Sequence, residues 1–150
     1  MSRRALLAVL GVLVFLVTSF GVARWLSRET DERGAVLGLL RAQARGDARS
    51  MLADLDGCSG DQRCRLLVQA NARSLKRPGD VKILTYESNT KYALGDARGP
   101  VRVAWDIGTN GDTVVQCIDV RRSGIGFLGG SVALAGVSAP IAREGSCPGS

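Results

Sequence analysis

Val101-Arg102-Val103-Ala104-Trp105-Asp106-Ile107 alternates between large apolar side chains at odd positions and Arg102, Ala104 and Asp106 at even ones. A period of two places Val101, Val103, Trp105 and Ile107 on one face of a strand, and β-branched and aromatic residues suit such a half-buried surface. Asn110-Gly111 follows, where both residues tolerate positive φ, so a tight turn is expected. Residues 113–120 return as the partner strand and carry Cys117. Arg121-Arg122-Ser123-Gly124 leads into a glycine-rich connection. Residues 132–137 form a last strand, which Pro140 ends. On the other side, Gly95-Asp96-Ala97-Arg98-Gly99-Pro100 is dense in turn formers. Before it, Val81, Ile83 and Thr85 alternate with Lys82, Leu84 and Tyr86, and Tyr92 and Leu94 extend that ribbon.

Upstream of Pro78 the apolar period becomes 3.6. Residues 30–45 read as an amphipathic helix. Thr30 caps it, and Asp31 and Glu32 lie in a first turn whose dipole favours anions. Val36, Leu39, Leu40 and Gln43 share one face, and Gly46 is the C-terminal stop. Asp47 caps a second, short helix with Met51, Leu52 and Leu55 turned inward. Asp61 caps a third over residues 62–76, where Cys64, Leu67, Val68, Asn71 and Leu75 align. Arg63, Arg65 and Arg73 read as a solvated face. Helices followed by successive antiparallel strands define an α+β domain, with about three helices packed on a curved sheet of about four strands.

The chain opens differently. Arg3 and Arg4 precede residues 5–23, an uncharged run dominated by Leu, Val and Ala. As a helix the run is about 28 Å long, close to the ~30 Å hydrocarbon core of a bilayer. Arg24, Trp25 and Arg28 suit the far interface. The run exceeds the 7–15 residues usual for a signal-peptide core, so a retained transmembrane helix is preferred to a cleaved leader. Cleavage near Ala23, giving a secreted protein, is the alternative. This divides the chain into a cytoplasmic stub and anchor at residues 1–24 and an extracytoplasmic domain at residues 25–150. The expected address is a single-pass cell-membrane protein with its N-terminus in the cytoplasm.

Cysteine usage agrees with that address. Cys58, Cys64, Cys117 and Cys147 all follow the leader, and outside the cytoplasm thiols pair. Four cysteines allow three connectivities. Cys58–Cys64 would close a small loop between two helices, and Cys117–Cys147 would pin the C-terminal tail to a strand; this pairing is preferred. Spacings of C-x5-C and C-x29-C, with no His in the chain, do not match a zinc site. No metal and no cofactor is expected. The net charge of +6 is carried by interleaved signs rather than a basic stripe, so no nucleic-acid partner is expected.

Leu39-Leu40-Arg41-Ala42-Gln43-Ala44-Arg45-Gly46-Asp47-Ala48-Arg49 is an apolar helix ending in Gly-Asp before a short helix. With Val101-Arg102-Val103-Ala104-Trp105 and Val114-Val115-Gln116-Cys117 downstream, it resembles small exported or membrane-anchored bacterial members of the nuclear-transport-factor-2-like superfamily. The resemblance covers residues 30–142 and implies a cone of helices wrapped by a bent sheet. It decides no activity, because that superfamily holds enzymes, ligand binders and structural modules.

Three stretches suggest chemistry. Gly124-Ile125-Gly126-Phe127-Leu128-Gly129-Gly130 lacks the Lys of a phosphate loop and precedes a strand, so it reads as a hairpin loop. Asp106, Asp119, Tyr86 and Tyr92 would have to meet in the cone to move a proton, yet Asp106 lies opposite Trp105 and so faces solvent. Trp105 and Phe127 could line a pocket, but Trp105 shares the alternation of the core. The reading is therefore a membrane-tethered extracytoplasmic interaction or structural module. It would contact the membrane through residues 5–23 and a protein partner at the membrane surface. A small apolar-ligand binder using the cone interior is the first alternative, and a weak isomerase or hydrolase is the second.

Overall fold

The computed structural model describes residues 3–89, 96–108, 112–124 and 130–148, without the side chains of residues 3–6, 8 and 24–29. The helices are α1 (Arg3–Arg45), α2 (Ala48–Asp54) and α3 (Gln62–Ser74), with a 3-10 turn at Cys58–Gly60. The strands are β1 (Val81–Ser88), β2 (Ala97–Ile107), β3 (Val114–Ser123) and β4 (Ser131–Val137), joined as an antiparallel meander in the order β1-β2-β3-β4. The α+β class and the four-stranded sheet match expectation.

The expected transmembrane helix does not. Residues 5–23 are not a separate element but part of a 43-residue helix, and among the described residues no helix is long and apolar enough to cross a membrane. The single-pass anchor, with its cytoplasmic stub, loses its support. Because the helix is continuous, Thr30 caps nothing, and Asp31 and Glu32 lie mid-helix rather than in a first turn.

The C-terminal third of α1 is the spine of the core. Val36, Leu39, Leu40 and Gln43 are fully buried. The helix ends where expected. Gly46 takes a φ of 75°, its N–H donates to the Gln43 carbonyl, and the Asp47 N–H donates to the Ala42 carbonyl at 2.9 Å. A Cβ at Gly46 would lie 3.2 Å from the Ala72 carbonyl oxygen of α3, so glycine also eases the close approach of that helix. Asp47 caps α2 through Ser50, and Asp61 caps α3 through the Arg63 and Cys64 amides.

The sheet lays Val101, Val103, Trp105 and Ile107 of β2 and Val114, Ile118 and Val120 of β3 against α1. Two irregularities separate it from simple alternation. On β1, Ile83 pairs with Trp105 and Thr85 with Ala104, leaving Leu84 as an extra residue. On β4, Leu134 pairs with Val120 and Gly136 with Asp119, leaving Ala135 extra. Each bulge reverses which residues face inward beyond it. Two boundaries also move. Residues 97–100, expected as turn, open β2, and Arg121 and Arg122, expected as a connection, extend β3.

The two disulfides join Cys58 to Cys64 and Cys117 to Cys147, the preferred pairing. They fit an oxidising, extracytoplasmic setting. The second ties a C-terminal strap to the sheet's outer face. Within that strap the Ile141 N–H donates to the Val115 carbonyl at 2.8 Å. Arg102 adds a hydrogen bond to the Gly145 carbonyl at 3.0 Å and another to the Arg143 carbonyl.

Candidate functional site

Glu32 is the one fully buried carboxylate among the described residues. It lies one turn before Val36 and so continues the buried face of α1. Its carboxylate accepts the Tyr86 hydroxyl on one oxygen. The other accepts Arg122 Nε at 2.6 Å and pairs with a second nitrogen of the same guanidinium. Arg33, the next residue on α1, places its guanidinium 4.9 Å from the centre of the Tyr86 ring. Helix, first strand and third strand are thus tied at one point, where α1 leaves the sheet.

The two departures from simple strand reading create this point. The extra residue at Leu84 turns Tyr86 inward, and Leu84 is exposed in its place. The extension of β3 keeps the even positions facing inward as far as Arg122. Burial, then the hydrogen bond and charge of Glu32, raise the Tyr86 phenol well above its ordinary range, although Arg122 and Arg33 pull the other way. Tyr86 therefore keeps its proton and serves as a donor. The cluster is built to hold charge in place: every member is engaged by another, and the phenol is not poised to release a proton near neutral pH.

Deeper in, Gln43, Gln116 and Trp105 form a second polar cluster. Gln116 Oε1 accepts from Gln43 Nε2 at 2.8 Å and from Trp105 Nε1 at 2.9 Å. Gln116 Nε2 and Asn71 Nδ2 each donate to the Ser138 carbonyl at 2.9 Å. Among the described residues, no buried side-chain polar atom is left without a partner. The core around these groups is occupied by Trp105, Leu39, Leu40 and Met51, each at most 1% exposed.

The residues weighed for proton transfer do not converge. Asp106 accepts from the neighbouring Ile107 N–H at 2.6 Å, and Asp119 pairs on the surface with Arg98 at 3.5 Å. Tyr86 turns to Glu32, away from both. Tyr92 and Phe127, like most of the glycine-rich connection, lie outside the described residues. Trp105 is core, as its alternation implied. The sequence places Glu32 in a helix's first turn and Arg122 in a connection, and neither at a site. Glu32 was legible, since stepping back four residues from Val36 reaches it; Arg122 was not, since its strand seemed to end at Val120.

The chain matches no family model, no curated protein and no solved structure.

Proposed function

We propose that this is an exported interaction or structural module held at a membrane through residues 5–23. The observation carrying this reading is the surface of α1 before residue 23. Leu7, Leu10, Val12, Phe15, Leu16 and Val17 are all more than half exposed, around the whole circumference of the helix. An apolar patch of this extent marks a contact with lipid or protein. The same helix then supplies the core of the folded domain, so whatever receives the apolar part also positions that domain. The mutual engagement of Glu32, Tyr86 and Arg122 favours a scaffold over a reactive centre. The order of three helices and then a meander wrapped on α1 supports kinship with the nuclear-transport-factor-2-like superfamily.

Intact mass of the protein from a membrane fraction, with crosslinking in the same membranes, tests the reading. The expected result is a chain that keeps residues 1–23, sediments with membranes and captures a specific protein partner. A soluble product beginning after Ala23 would instead make the domain a secreted one. Failure to capture any partner at native abundance would remove the interaction role.

A further inference from the structure

The charges of the domain are not spread evenly. Residues 24–40 carry three basic and three acidic side chains, and residues 78–150 carry seven of each. Residues 41–77 carry eight basic against four acidic, so this helical segment holds the whole excess positive charge beyond residue 23. On the sheet the described arginines find carboxylates: Arg98 with Asp119, Arg102 with Glu87, Arg121 with Asp56 and Arg122 with Glu32. Among the described residues, no side chain from the helical eight makes such a pair. Three of the segment's four carboxylates are engaged elsewhere: Asp47 and Asp61 cap helices, and Asp56 reaches the sheet.

Six of the eight gather where α1 and α3 end together. The Arg77 N–H donates to the Ala44 carbonyl at 2.9 Å, and Gly46 lies against Lys76. Arg41 and Arg45 occupy the last turns of α1, Arg49 the first turn of α2 and Arg73 the last turn of α3. These four and Lys76 are exposed. Arg77 is half-buried and donates to the Asp112 carbonyl at 3.3 Å. Two helix C-termini contribute only about −0.5 of a charge each, so dipole compensation leaves most of this positive charge unanswered.

We propose that Arg41, Arg45, Arg49, Arg73, Lys76 and Arg77 form a docking surface for an acidic segment of a partner protein. The proposal rests on the interaction-module reading and names the chemistry of its partner. Arg41 and Arg45 stand four residues apart on α1, a spacing of about 5–6 Å that carboxylates one helical turn apart reproduce. Arginine forks bind carboxylates in two-point contacts. The membrane contacted by residues 5–23 is the wrong partner. The patch begins about 27 Å farther along α1, more than three Debye lengths of ~8 Å at physiological salt. A single-stranded nucleic acid is also disfavoured, because residues 30–77 contain no aromatic side chain on which a base could stack.

Binding of the full chain to a polyglutamate peptide, an inorganic polyphosphate and a DNA duplex tests this, with Arg45→Glu/Arg73→Glu as the patch variant and Lys82→Glu as the control. Circular dichroism confirms folding of each. The expected result is tightest binding to polyglutamate, weakening with salt, about tenfold weaker in the patch variant and unchanged in the control. Tighter binding to polyphosphate or DNA, or equal weakening in both variants, overturns the proposal. The native-membrane crosslink separates the two readings. A partner captured equally by wild type and patch variant sinks the docking surface and leaves the module. A partner lost only in the patch variant supports both.

Discussion

The two halves of α1 share one backbone and almost nothing else. From residue 32 onward the helix turns a defined stripe, Glu32, Val36, Leu39, Leu40 and Gln43, into the core. Before residue 23 it is apolar on every side and covered by nothing in the described structure. The difference teaches that burial follows from what surrounds a helix rather than from its hydrophobicity. The covered half is amphipathic because a sheet lies on one side and water on the other. The uncovered half has no such division between an apolar and a polar side.

The largest expected effect lies in the covered half. Trp105→Ala should destabilise the fold by about 3–5 kcal/mol, through cavity formation and the loss of the indole donor to Gln116. Denaturant unfolding of the detergent-solubilised chain would show it, and a loss under 1 kcal/mol would mean that the core is not organised around this ring. Removing the second disulfide, as Cys117→Ser/Cys147→Ser, should cost about 4 kcal/mol, and the shorter Cys58–Cys64 loop about 2 kcal/mol. Equal losses from the two would break the loop-length account.

Glu32→Ala should cost about 3 kcal/mol, because it strands the Arg122 guanidinium in a half-buried site. Adding Arg122→Ala should recover part of that loss; purely additive losses would show that the pair is not coupled. A smaller effect concerns pH. Folding raises the Tyr86 phenol above its unfolded value near 10. Its contribution is therefore complete below about pH 10 and is lost as pH rises toward the folded value, since the unfolded chain gives up its proton first. Tyr86→Phe should flatten that alkaline decline. The smallest effect sharpens the comparison from the other half: Phe15→Ser should leave unfolding of the domain within about 0.5 kcal/mol of wild type while reducing sedimentation with membranes.

Much of the fold was legible because it rests on local rules. Capping by Asp47 and Asp61, the stop at Gly46, the buried face of α1 and the alternation of β2 each follow from side chains within a few residues of one another. What escaped depends on partners distant in sequence. The extra residue at Leu84 has no local mark, yet it decides that Tyr86 faces Glu32. β3 continues through Arg121 and Arg122 because β2 and β4 continue beside it. A pair of arginines after a strand otherwise reads as the start of a loop. Asp31 and Glu32 looked like the anions of a first turn, and only the unbroken helix moved them into its middle. The transmembrane expectation lost its support because no described helix is long and apolar enough to cross a membrane.

The unbroken backbone of α1 has a mechanical consequence. A helix without a hinge fixes azimuth as well as distance between its ends. One residue inserted between positions 24 and 30 would swing the domain by about 100° and lift it by about 1.5 Å. Seven inserted residues would restore the original bearing to within about 20°, at a height about 10 Å greater. A docked partner would read such insertions as a phase, lost at half-turns and regained at whole ones, whereas a floppy leash would be indifferent to them.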